Sequence, residues 1–171
     1  MGLLLRLGSG FLNRLLAVVM AVTAAQVPVY YGQYLQTLGG VRLEAEARYL
    51  ELRREAAAVQ LAVEDFVLRH ERSPDRVFQA SGRIHRSTLQ RYQRFDASYR
   101  ALSTADVWHK PLLLARHFDP AIHAAVRFTP GLPLNPEGLG WALCGVLLAG
   151  LCSSLLGFLL MPRRRAIAGR L

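Results

Sequence analysis

Acidic residues are missing from both ends of this chain. All twelve Asp and Glu lie from Glu44 to Glu137, whereas six arginines (Arg6, Arg14, Arg163, Arg164, Arg165 and Arg170) occupy the tails. Charge of either sign is missing from two apolar runs, 15–31 and 141–161. Cysteine is scarce, and the two present, Cys144 and Cys152, both fall in the second run. Eight helical positions separate them by about 12 Å, beyond the roughly 7 Å between Cα atoms that a disulfide tolerates. A bridge within one chain is excluded, and the central region has no thiol for redox or thiolate-metal chemistry. Both cysteines read as small membrane-buried hydrophobes. Lysine is nearly absent, Lys110 standing alone beside twenty arginines, a bias that suggests a GC-rich bacterial genome.

The net charge of +9 resembles a nucleic-acid signal until its distribution is read. The tails carry arginine and no acid, while residues 32–140 hold fifteen basic against twelve acidic residues with the signs interspersed. That leaves no basic footprint for DNA or RNA. Arginine just outside an apolar run is what the positive-inside rule asks of cytoplasmic flanks, and anionic headgroups hold such residues by about 1 kcal/mol each.

The second run makes roughly 31 Å of helix, enough for a hydrocarbon core of about 30 Å. Asn135, Pro136 and Glu137 supply a cap, a first-position proline and a first-turn acid, so the expected span is 136–161. Trp141 is the expected interfacial anchor, and Pro162 with Arg163, Arg164 and Arg165 closes the helix on the cytoplasmic side. The first span is expected at 11–31, with Arg14 snorkelling to headgroups and Tyr30, Tyr31 and Tyr34 forming the outer aromatic belt. A rival reading stays open: a basic start, an apolar run and Thr23-Ala24-Ala25 resemble a signal peptide cleaved before Gln26. Small residues recur every four positions in both spans: Ala17, Ala21 and Ala25 in the first, and Gly145, Ala149, Ser153 and Gly157 in the second. Such stripes let membrane helices approach closely. Whether they pack on each other or on another protein is left open by the sequence.

Between the spans the periodicity is helical throughout. Ala45, Tyr49, Leu52, Ala56, Val59, Val63 and Phe66 follow alternating steps of four and three, a coiled-coil-like seam on one helix expected over 41–70. Ser73-Pro74-Asp75 opens a second, 74–102, with Ile84, Thr88, Phe95, Tyr99 and Leu102 on one side and Gly82 as a weak point. The short turn makes the pair an antiparallel hairpin. Short helices are expected at 111–118 and 120–128, the latter capped by Asp119. The apolar piece 108–128 either caps the base of the hairpin or lies on the membrane surface, and the first is favoured. The expected organisation is a cytoplasmic tail (1–10), a span, a periplasmic helical domain (32–135), a second span and a basic cytoplasmic tail (162–171). This is an all-α membrane protein with two transmembrane helices flanking a periplasmic helical hairpin.

Gln26-Val27-Pro28 with Tyr31, Gln33, Tyr34, Gln36, Gly39, Gly40, Glu44 and Ala45, and later Pro130-Gly131-Leu132-Pro133-Leu134 before Pro136-Glu137-Gly138-Leu139, resemble an uncharacterised family of proteobacterial membrane proteins, domain of unknown function 2937. The resemblance covers essentially the whole chain and implies a two-span inner-membrane protein with a helical periplasmic part. It implies no activity and no catalytic residues. Read physically, Gln26, Pro28, Tyr31, Gln33, Tyr34, Gln36, Gly39 and Gly40 meet Pro130, Gly131, Pro133, Pro136 and Glu137 in a collar at the outer membrane face, where side-chain amides reach exposed backbone. The collar is structural, or a docking surface for a partner membrane protein.

No catalytic constellation stands out. None of His70, His85, His109, His117 and His123 forms the His-Glu-x-x-His pair of metalloproteases, and Gly39-Gly40 lacks the rest of a phosphate-binding loop. His117, Asp119 and His123 form a weak metal-ligand grouping, because Asp119 before Pro120 already serves as a cap. No cofactor or metal is expected. The expected function is therefore non-enzymatic: a structural, adaptor or accessory subunit that binds membrane lipids and another membrane protein or itself. A periplasmic sensor of lipid or a small ligand is the alternative, and an enzyme the least favoured.

Overall fold

The computed structural model describes residues 2–160, with side chains described for 12–155. Among these residues there are six helices and no strand: α1 (Gly2–Ala58), α2 (Val63–Glu71), α3 (Arg76–Ser103), α4 (Lys110–Arg116), α5 (Pro120–Ala125) and α6 (Pro136–Leu160). They fall into two compact units. One comprises residues 1–30 and 129–171, the other Tyr31–Phe128.

In the first unit, α6 and the N-terminal part of α1 are long and apolar enough to cross a membrane. Asn135 starts α6 as expected, its side-chain oxygen accepting from the N–H of Gly138 at 2.8 Å. The two helices touch where Gly145 meets α1: a Cβ there would lie 2.3 Å from the Met20 carbonyl oxygen and 2.8 Å from the Ala21 Cα. Only glycine permits that backbone approach. Ala25 and Ala149 are buried and Ala17, Ala21 and Ser153 half-buried, and Ser153 donates to the side-chain oxygen of Asn13 at 3.1 Å. The small residues of the two apolar helices thus face each other. Gly157 lies outside the residues whose side chains are described, and Met161, Arg163, Arg164 and Arg165 lie outside the described residues.

Along α1 and α2 the chain departs from the sequence expectation at two places. First, no break separates 31 from 41, since α1 runs through Pro28, Gly39 and Gly40 to Ala58. Pro28 removes one backbone hydrogen bond without ending the helix. Gly39 is held by packing, its Cβ position 3.1 Å from the ring of Tyr99. Second, the helix expected over 41–70 is cut at residues 59–62. The N–H of Leu61 donates to the Ala56 carbonyl at 3.0 Å and that of Gln60 to Ala57 at 2.9 Å, a Schellman closure with Gln60 at φ 57° where glycine is usual. Val59 of the expected seam is therefore exposed, and Val63 and Phe66 belong to α2.

The core of the second unit gathers Leu52 and Ala56 of α1, Val63 and Val67 of α2 and Leu89 of α3, with Tyr49 and Phe66 against it. α3 runs antiparallel to α1: Tyr49 stacks on Tyr92 at 4.5 Å, Arg42 reaches Asp96 at 2.7 Å, and the Tyr31 hydroxyl donates to the Leu102 carbonyl at 2.6 Å. The inward face of α3 keeps Phe95 and Leu102 of the expected one, with Thr88 and Tyr99 half-buried, and loses Ile84. Gly82, Leu89, Phe95 and Leu102 are buried, whereas Ile84 is 65% exposed. Nor does α3 start at Ser73: its cap is Asp75, which accepts from the N–H of Val77 at 2.7 Å, while Ser73 accepts from Asp75 in the preceding turn.

Candidate docking surfaces

In the first unit, Gln26 and Gly131 clasp reciprocally. The Gln26 amide nitrogen donates to the Gly131 carbonyl at 3.1 Å, and the Gly131 N–H donates back to the Gln26 side-chain oxygen at 3.2 Å. One half-buried glutamine thereby satisfies both backbone polar groups of a residue 105 positions away in sequence and fixes the linker to α1. Pro28 is half-buried in α1, Pro130 exposed, and Pro133 packed on Gly138, whose Cβ position lies 2.3 Å from the Pro133 carbonyl oxygen. Pro136 and Glu137 open α6. Arg14 is exposed, and Tyr30 and Trp141 are half-buried.

The rest of the expected collar lies in the second unit. Tyr31 and Tyr34 are buried protein anchors rather than belt residues exposed to lipid. The ammonium of Lys110 sits 5.3 Å over the Tyr31 ring. Tyr34 donates to the His117 carbonyl at 3.2 Å and accepts from the Asp119 N–H at 2.9 Å. Burial pushes the Tyr34 phenol above its ordinary pKa, chiefly by desolvation, so it remains a protonated donor. Gln33 is half-buried and its carbonyl accepts from the Thr37 hydroxyl; Gln36 is exposed.

Two surfaces were not singled out as such by sequence, although Gln36 and Gly40 of the first belong to the expected collar. The face of α1 turned away from α3 carries Gln36, Gly40, Leu43, Ala47 and Leu50, again in steps of four and three. Leu43 is 61% and Leu50 39% exposed, and nothing stands within 4 Å of a Cβ at Gly40. The signal was available in the seven-residue spacing of Leu43 and Leu50, but charged neighbours obscured it. The second surface is an open cleft of about 530 Å³ between α1 and α3, lined by Arg48, Ser87, Thr88, Arg91 and Arg94. Its positive charge is offset by acids: Arg48 pairs with Glu44 at 2.7 Å, Arg91 approaches Glu44 at 4.0 Å, and Arg94 pairs with Asp119 at 3.3 Å.

His70 and His85 pack edge to face at 5.3 Å beside Phe66. Burial holds the His85 pKa below its ordinary value, with His70 adding to the effect and Glu55 opposing it. Among the described residues no three His, Cys, Asp or Glu side chains gather as a metal site. Asp119 instead caps α5, accepting from the Ala121 N–H at 2.9 Å. Of the apolar piece 108–128, Ile122 is buried, but Trp108, Leu112, Phe118 and Phe128 are exposed.

These features define an all-helical protein with two helices able to span a membrane and a separate helical unit. The chain belongs to the family described as protein of unknown function (DUF2937), which matches residues 9–166. No curated protein and no solved structure matches it.

Proposed function

We propose that the chain is a non-enzymatic two-span protein of the bacterial inner (cytoplasmic) membrane. Both termini are cytoplasmic, residues 32–135 are periplasmic, and the helical unit serves as an adaptor or accessory subunit for another membrane protein. The observation that carries the adaptor reading is the uncovered α1 face at Gly40, Leu43, Ala47 and Leu50. An apolar strip at seven-residue spacing on an otherwise charged helix is a surface for a partner helix. The small residues of Gly145, Ala149 and Ala25 are occupied within the chain, which moves docking to this strip and away from the spans.

Affinity purification from native membranes in mild detergent, with native mass spectrometry, tests it. A stoichiometric companion or second copy is expected with the natural chain, and its loss with Leu43→Arg and Leu50→Arg. Both substitutions leave α1 helical because each side chain points away from α3. A lone monomer in both preparations would contradict the reading.

A further inference from the structure

The antiparallel course of α1 and α3 sets the height of everything that follows α3. Contacts descend from Tyr49–Tyr92 through Arg42–Asp96 to Tyr31–Leu102. Chain leaving Leu102 therefore continues along α1 toward its N-terminal side, where the uncharged run of α1 ends at Tyr31. The returning chain is tied at Tyr31 by Lys110 and at Tyr34 by His117 and Asp119. Residues 104–109 are the tip of this excursion.

The residues at that tip are the wrong ones for water. Trp108 is 80% and Leu112, one turn further on, 61% exposed, with Val107 also exposed. Asp106 and His109 stand beside them with exposed side chains 4.0 Å apart, and the exposed Arg116 follows on α4. A large amphipathic ring, an aliphatic neighbour and a nearby arginine suit the headgroup layer, where tryptophan is enriched and long basic side chains reach phosphate. Asp106 and His109 set a limit on depth, since neither belongs in hydrocarbon.

From this geometry we infer that the α3–α4 loop, led by Trp108 and Leu112, inserts into the headgroup layer of the bilayer and seats the helical unit on the membrane surface. The inference rests on the two-span reading, because that reading puts Tyr31 at the bilayer surface. It replaces the expected tyrosine belt: Tyr31 and Tyr34 hold the loop, and Trp108 touches the lipid.

The chain has two tryptophans, so Trp141→Phe isolates Trp108 and Trp108→Phe isolates Trp141. Each full-length variant is reconstituted into phosphatidylcholine vesicles with acyl chains brominated either near the carbonyl or near the methyl end. Trp108 is expected to lose roughly half or more of its emission to the shallow bromines and much less to the deep ones, as an interfacial tryptophan does. Emission typical of water, unquenched by either lipid and open to aqueous iodide, would overturn the inference. Blue-shifted emission protected from both bromine and iodide would overturn it too, by placing protein over the loop. The Trp108→Phe variant separates the two levels. Trp141 quenched while Trp108 is not refutes the loop alone, and neither quenched refutes the spans as well.

Discussion

The hydroxyl of Tyr34 receives the N–H of Asp119 at 2.9 Å and donates to the carbonyl of His117, joining α1 to the chain about 85 positions later. Phe118, between those two residues, stacks over the same ring at 6.2 Å. One side chain thereby fixes the entry to α5. Tyr34→Phe keeps the ring and strands a half-buried N–H and carbonyl, a loss of about 1–2 kcal/mol. Denaturant unfolding of the purified protein in detergent is the measurement, with Gln36→Ala, on the exposed side of α1, expected to be near neutral.

Two glycines are predicted to behave oppositely. A Cβ at Gly82 would lie 2.6 Å from the Glu71 backbone nitrogen, so Gly82→Ala forces α2 and α3 apart and costs about 1–3 kcal/mol. Open space surrounds Gly40 in mid-helix, and Gly40→Ala stabilises by roughly 0.5–1 kcal/mol. Thermal melts of the two variants against the natural chain report the contrast.

The apolar helices offer a parallel pair. Gly145→Leu collides with the Met20 backbone and is expected to lower stability in detergent by about 2 kcal/mol or more. Gly150→Leu, with nothing within 4 Å of its Cβ position, leaves it unchanged. Equal effects of the two substitutions would show that the helices do not meet at Gly145.

His85 makes stability depend on pH. Its folded pKa lies below its ordinary value of 6.5, mainly through burial, so the unfolded chain binds the proton more readily. Stability is then greatest above about pH 6.5 and falls as the pH drops through that value toward the folded pKa. His85→Gln flattens this part of the profile between about pH 5 and 7.5. Glu71 acts lower on the scale: its hydrogen bond to Arg86 depresses its pKa, so its contribution is present above its ordinary value and is lost as the pH falls through the folded one.

What the sequence revealed follows from which signals are local. Uncharged length announced α6, and Asn135 and Asp119 announced their caps, because these depend on neighbouring residues only. The break at residues 59–62 was invisible: Val59-Gln60-Leu61-Ala62 contains no glycine or proline, yet Gln60 takes the left-handed conformation that closes the helix. The continuity of α1 across Gly39-Gly40 was hidden for the opposite reason: two helix-weakening residues stand in mid-helix, Gly39 fitted against the Tyr99 ring and Gly40 facing open space. The buried roles of Tyr31 and Tyr34 needed the fold, as a tyrosine beside an apolar run reads equally as a lipid anchor. The clasp of Gln26 and Gly131 was anticipated in kind, as amides meeting a linker, but the partner peptide came only from the structure.

The account stands or falls on which side of a membrane the helical unit lies, and cysteine labelling in cells answers that directly. Cys144 and Cys152 are replaced by serine, and single cysteines are placed at Ser98, Ser9 or Ala168. A membrane-impermeant maleimide is then applied to cells whose outer membrane has been made permeable. The account predicts labelling at Ser98 in intact spheroplasts and at Ser9 and Ala168 only after lysis. Labelling of the tails before lysis, or protection of Ser98 until lysis, would contradict it.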